Sequence, residues 1–181
     1  AAGNYIGIKK KRKDLAMIYS EIPAKGAATF TTNVVKAAPV LWNQQIINRN
    51  GNIQGIVVNS GNANACTGDQ GKKDTILMAQ TMADCMDLKK EEVLVASTGV
   101  IGVPLPIDLI CAGIKQTVLQ LDSSREVSKA AAEAIMTTDT FVKEIAVTFQ
   151  LQGRTVTIGG MAKGSGMIHP NMATMLSFIT M

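Results

Sequence analysis

Aromatic side chains make up only 4 % of this 181-residue chain: one Trp, two Tyr and four Phe. Proteins that hold single-stranded nucleic acid stack its bases on aromatic platforms, so this scarcity argues against that function despite a net charge of +4. Histidine is rarer still, with His169 alone, set before Pro170. Without a second histidine or an acidic cluster at ligand spacing, no metal is expected. A histidine-dependent triad would have to use that single ring, for which a structural role is the alternative. The three cysteines, Cys66, Cys85 and Cys111, are odd in number and contain no Cys-x-x-Cys pair. That pattern suggests neither a disulfide framework nor a zinc site and fits reduced thiols. No apolar run reaches the ~18–20 residues of a membrane span, and no charged-then-apolar leader opens the chain. The expectation is a cytoplasmic or organelle-matrix protein with no membrane or nucleic-acid partner.

What the chain does have is aliphatic and methionine content, 46 % hydrophobic in all, enough for one core and a single domain over residues 1–181. The basic run Lys9–Lys13 lies between Tyr5–Ile8 and Leu15–Tyr19, which both read as strands, so it is expected at the solvated tip of a hairpin. Ala27–Thr32 resembles a further strand, and Ala37–Leu41 leads towards a short helix at Asn43–Arg49. The β-branched run Gln54–Val58 reads as a buried strand delivering the loop Asn59–Asn64 to a sheet edge. Thr67 and Gln70 have the spacing of a capping box, ahead of an amphipathic helix from Lys72 to Met86. Glu92–Ala96 then repeats the strand, running into a loop at Ser97–Gly102, and Pro106 marks a helix start.

Ser124–Met136 is an alanine-rich helix with Ser123 or Ser124 as its cap. Lys143–Gln150 and Arg154–Gly159 alternate as strands about the turn Gln152-Gly153. Thr174–Met181 is a last, strongly apolar strand, which needs a neighbouring segment to pair its backbone. The order of elements predicts an α/β (α+β) layered fold, with mixed sheets and flanking helices, completed by a partner chain.

Chemistry concentrates in four segments. In Lys163-Gly-Ser-Gly-Met-Ile-His-Pro-Asn-Met-Ala-Thr174, a glycine-rich turn leads to a threonine behind the small Ala173. If the backbone is cleaved there, Thr174 gains both a hydroxyl nucleophile and an α-amine base, and such amines have pKa values near ~8. The plainer reading is a threonine that begins a strand. Ser97-Thr98-Gly99 either turns N–H groups towards a developing oxyanion or is a simple turn. Met136–Thr140 gathers three hydroxyls and a carboxylate that cap the helix or bind a ligand. Gly159–Gly166 is glycine-rich but lacks phosphate-loop spacing and leads into no helix.

Taken together and in order, Asn59–Gly68, Ser97–Pro106, Met136–Thr140 and Ala162–Leu176 closely resemble the ornithine acetyltransferase (glutamate N-acetyltransferase) family. The resemblance covers nearly the whole chain. It implies a precursor that cleaves itself between Ala173 and Thr174 into α and β chains, of which this sequence is similar to the α half, and an α2β2 assembly. It also implies Thr174 as nucleophile, Thr98 and Gly99 as the oxyanion hole, and Thr137 and Lys163 beside Thr174 as substrate contacts, with Thr138 left open as an alternative. The substrates implied are N-acetylornithine and glutamate, with no cofactor; whether acetyl-CoA also donates is not set by these motifs. An α chain of this family ends at Ala173, whereas this sequence runs on to Met181. While the Ala173–Thr174 bond is intact, the amine is an amide nitrogen and cannot act as base. Two other functions use the same residues: a self-processing threonine amidase or peptidase that passes its acyl group to water, and a noncatalytic half-chain that binds a small anion or a partner.

Overall fold

A computed structural model describes residues 1–164 and 175–181. Among them, strands β1 (Ala2–Asn4), β2 (Leu15–Lys25), β3 (Asn52–Asn62) and β4 (Val93–Val100) form a sheet in that order. The β3–β4 pair is parallel and the others are antiparallel. A second, antiparallel sheet holds β5 (Lys143–Leu151), β6 (Arg154–Lys163) and β7 (Leu176–Thr180). The helices are α1 (Ala38–Asn48), α2 (Gly68–Met86), α3 (Ile107–Val118) and α4 (Arg125–Ala134). The parallel pair requires a crossover, and α2 supplies it. This is the layered α/β architecture expected. None of these helices is long and apolar enough to cross a membrane.

Strand alternation sends each side of the first sheet to a different core. Leu15, Met17, Val57, Val93 and Val95 pack with Met78 and Met82 of α2 and with Ile110 and Ile114 of α3. Their neighbours Ala16, Val58 and Ala96 face the other way, onto Ala131, Ala132, Ala134 and Ile135 at the end of α4 and onto Met161 of β6. Leu176 and Phe178 of β7 close that second cluster. The second sheet thus docks through β6 and β7, while Ile145, Val147 and Leu151 of β5 remain exposed. The β5–β6 turn has positive φ at both Gln152 and Gly153, as a two-residue hairpin loop requires.

Several local expectations are corrected. Tyr5–Ile8 is not a strand: β1 ends at Asn4, and the N–H groups of Ile6, Gly7, Ile8 and Lys9 all donate to the buried Asp14 carboxylate at 2.7–3.1 Å. A carboxylate that takes four amides replaces the ladder a strand would have used. The basic run is therefore only partly a solvated tip, because Lys9 turns inward. Ala27–Thr32 forms no strand. Thr67 does not cap α2 through its side chain; its hydroxyl donates instead to Asn64 Oδ1 at 2.6 Å. Ser124 occupies the cap position of α4 but makes no side-chain cap bond. Ser97, Thr98 and Gly99 are not a turn, because parallel pairing to Asn59, Ser60 and Gly61 carries them inside β4.

Candidate active site

The end of the β3–β4 pair is shaped by glycine. Gly99 has φ +136° and stands opposite Gly61, at φ +103°. A Cβ on Gly99 would overlap the Gly61 carbonyl, and one on Gly61 would strike Ile8 and Lys9. The loop that Asp14 organises lies over this strand end, and the Asp14 carbonyl accepts the Ser60 N–H at 2.8 Å. Thr98 shares its face of β4 with Ala96, so it follows the second cluster out of the core. On the opposite face, Asn59 Oδ1 and Ser97 Oγ are buried at paired positions with no hydrogen-bond partner among the described residues.

Thr137 and Lys163 leave the same cluster, each two residues beyond a member of it, Ile135 and Met161 respectively. They meet at Asp139. Its carboxylate accepts the Thr137 N–H at 3.2 Å, the Gly164 N–H at 2.6 Å and the Lys143 ammonium at 2.7 Å, while its side chain is only 1 % exposed. Burial alone would raise this carboxyl, but the bonds from Lys143, Gly164 and Thr137 outweigh it and hold the pKa at about 2. Lys163 is 4 % exposed. Burial pushes its ammonium below its ordinary value, with Asp139 opposing that shift and Lys143 adding to it.

The sequence offers Met136–Thr140 as a cap or a ligand site. In the structure its carboxylate, Asp139, ties the Thr137 N–H to the Gly164 N–H, next to Lys163. A hydrophilic residue between threonines carries no local mark of that, since its partner Gly164 lies 25 positions away.

A model of the ArgJ family matches residues 1–181. The chain belongs to the ArgJ family. It is 58 % identical over 180 residues to an arginine biosynthesis bifunctional protein ArgJ 1 of Clostridium acetobutylicum, covering 99 % of this chain and 43 % of that protein. With the ArgJ of Caldanaerobacter subterraneus subsp. tengcongensis the identity is 54 % over 179 residues, covering 99 % and 44 %. The chain therefore spans less than half the length of these relatives. A crystal structure of the argJ protein of Bacillus halodurans superposes with a TM-score of 0.88 at 45 % identity, covering 97 % of this chain and 89 % of that one. The ornithine acetyltransferase of Mycobacterium tuberculosis, solved in complex with ornithine, gives 0.87 at 41 % identity, covering 97 % and 91 %.

Of the residues expected from the ArgJ resemblance, Thr98, Thr137 and Lys163 thus each lie two residues beyond a member of one buried cluster, and Gly99 follows Thr98 at the strand end against Gly61. Ala173 and Thr174, like His169, lie outside the described residues. Lys163 pairs with Leu176, two positions after Thr174 in the sequence. Among the described residues no group of three His, Cys, Asp or Glu side chains is arranged to hold a metal ion.

Asp139 sets a pH dependence. Its folded pKa of about 2 lies below the ordinary 3.8, so its stabilisation is complete above about pH 4 and is lost as pH falls through about 2. The difference corresponds to about 2 kcal/mol. Thermal midpoints of the wild type should therefore fall more steeply between pH 4 and pH 2 than those of Asp139→Asn. Parallel curves would show that the carboxylate does not hold Thr137 and Gly164 as described.

Proposed function

We propose that residues 1–181 form a single domain of an ArgJ acetyltransferase, its α portion followed from Thr174 by the first residues of the β portion, which moves the acetyl group of N-acetylornithine to glutamate through an acetyl-threonine at Thr174. Autocleavage between Ala173 and Thr174 would release the α-amine that acts as base. The Thr174 hydroxyl then attacks the acetyl carbonyl, its proton passing to that amine. Thr98 and Gly99 stabilise the tetrahedral oxyanion. As the oxyanion collapses, the acetyl C–N bond breaks, ornithine takes the proton and departs, and the acetyl ester remains on Thr174. The amine of glutamate attacks that ester in turn, giving N-acetylglutamate and restoring the hydroxyl.

The observation that carries this reading is the departure of the Thr98, Thr137 and Lys163 segments from one buried cluster, in a chain 41 % identical to an acetyltransferase solved with ornithine. Thr137 and the Lys163 ammonium contact substrate, the latter suited to a carboxylate. A β chain from the same precursor would pack on this portion in an α2β2 assembly, and the exposed apolar Ile145, Val147 and Leu151 offer it surface. No cofactor is needed. Relatives described as bifunctional support a second donor, and acetyl-CoA fits, since the same hydroxyl can open its thioester. A reducing compartment such as the cytoplasm suits the free thiols.

The test is acetyl transfer by the full-length protein. Incubation with N-acetylornithine and glutamate should yield N-acetylglutamate and ornithine in equal amounts, with an intermediate 42 Da heavier than the free Thr174 chain, about the mass of one acetyl group replacing a proton. Release of acetate at a rate independent of glutamate would replace this reading with that of an amidase.

A further inference from the structure

Lys9 lies on the loop that Asp14 organises, and its stem crosses the strand end where Gly61 has no side chain: a Cβ there would come within 2.8 Å of Lys9 Cγ. Beyond the crossing, its ammonium donates to Met136 O at 2.8 Å and approaches Ala134 O at 3.4 Å. Ala134 O also accepts the Ser60 hydroxyl, and Ser60 is the strand partner of Thr98. The carbonyl of Met136 belongs to the peptide whose N–H, that of Thr137, is held by Asp139. Lys9 and Asp139 therefore grip the two ends of one peptide plane.

A cation at a helix C-terminus is favourable, but water satisfies exposed carbonyls equally well. Here the ammonium is half-buried, and desolvation first of all, opposed by Asp14 and Asp139 and assisted by Arg12, brings its pKa down to about 8. A charge placed at that cost, bridging the Gly61 strand end and the Met136–Thr137 peptide, does more than close a helix.

We propose that Lys9 is a positioning residue for acetyl transfer: it fixes Thr137 relative to Thr98, so that the acyl donor is bound with its carbonyl at the oxyanion donors. This inference rests on the acetyltransferase reading. It is tested in the full-length, self-processed enzyme. Lys9→Met keeps the stem and removes the donor, and misplacing a contact by about 1 Å can lower a rate by ~100-fold. The kcat/KM for N-acetylornithine should fall roughly 30-fold, mostly through KM because Thr137 is a binding contact, with cleavage and thermal midpoint retained. Lys9→Arg, which keeps a charged donor, should recover much of the loss.

In a Thr137→Ala background, Lys9→Met should cost less than about threefold, because its effect passes through Thr137. Wild-type KM and kcat in folded Lys9→Met, or an undiminished further loss in the Thr137→Ala background, would overturn the proposal. Should Lys9→Met not fold, Lys9→Gln decides, a raised KM supporting the proposal and an unchanged one overturning it. Wild-type transfer is measured in the same assay. Its absence removes the acetyltransferase reading and this inference together, whereas wild-type transfer with an indifferent Lys9 removes the inference alone.

Discussion

Gly99→Ala is expected to abolish acetyl transfer and to destabilise the fold by more than ~3 kcal/mol, in the range reserved for backbone overlap and strain. Gly99 sits at φ +136°, where an L side chain is strained, and the added Cβ would overlap the carbonyl of Gly61 and come within 2.6 Å of the Asn62 nitrogen. Neither is the movable end of a side chain. The only relief is to separate β4 from β3, and that displaces Thr98 as well. Gly102→Ala provides the comparison, since Gly102 has φ +76° with nothing within 4 Å of an added Cβ. It should cost only the left-handed strain of about 1 kcal/mol. Denaturant unfolding and acetyl-threonine formation measure both effects. If Gly99→Ala proved no worse than Gly102→Ala, the close approach of the two strand ends would not exist in solution.

Thr174→Ala in the full-length chain should leave the precursor uncut and lower transfer by roughly 10⁴-fold or more, the scale on which removal of a covalent nucleophile acts. Two losses have one origin. In the proposed mechanism, without the hydroxyl the Ala173 carbonyl would not be attacked, and without the cut no α-amine would be freed to serve as base. Thr174→Ser keeps the hydroxyl and should retain both reactions at reduced rates. Following cleavage by mass and transfer by product, activity should appear only in step with the cut chain. Normal cleavage and transfer by the alanine variant would eliminate the mechanism.

The elements that the sequence revealed are those whose reasons are local. The alternation about Gln152-Gly153 announces a hairpin, and the spacing of apolar residues among alanines announces α2, although Ile76 and Leu77 of that pattern lie exposed and Met78, Ala79, Met82 and Ala83 form the buried face. Three of the four motifs that point to the family also hold expected site residues next to one buried cluster. The misreadings share a cause: bonds and pairings that periodicity and spacing do not show. Tyr5–Ile8 alternates well enough for a strand, yet Asp14 takes its amides; Thr67 has the right spacing for a capping box, yet Asn64 takes its hydroxyl. Ser97–Gly99 has the composition of a turn, but register with β3 overrides propensity. Lys9 was lost within a basic run that looked solvated, since nothing within a few residues foretells a bond to Met136, 127 positions on.

Two side chains of α1 cover the far edge of the first sheet. Asn43 of α1 gives its amide to Val95 O at 2.9 Å and takes the Val95 N–H at 3.0 Å, while Trp42 Nε1 donates to Val93 O at 3.0 Å. The helix thereby imitates an adjoining strand. An apolar edge such as Val93–Val95 otherwise invites pairing with another molecule. With Val93 O, Val95 O and the Val95 N–H already taken by α1 of the same chain, that stretch of the edge offers a second molecule fewer free groups to pair with.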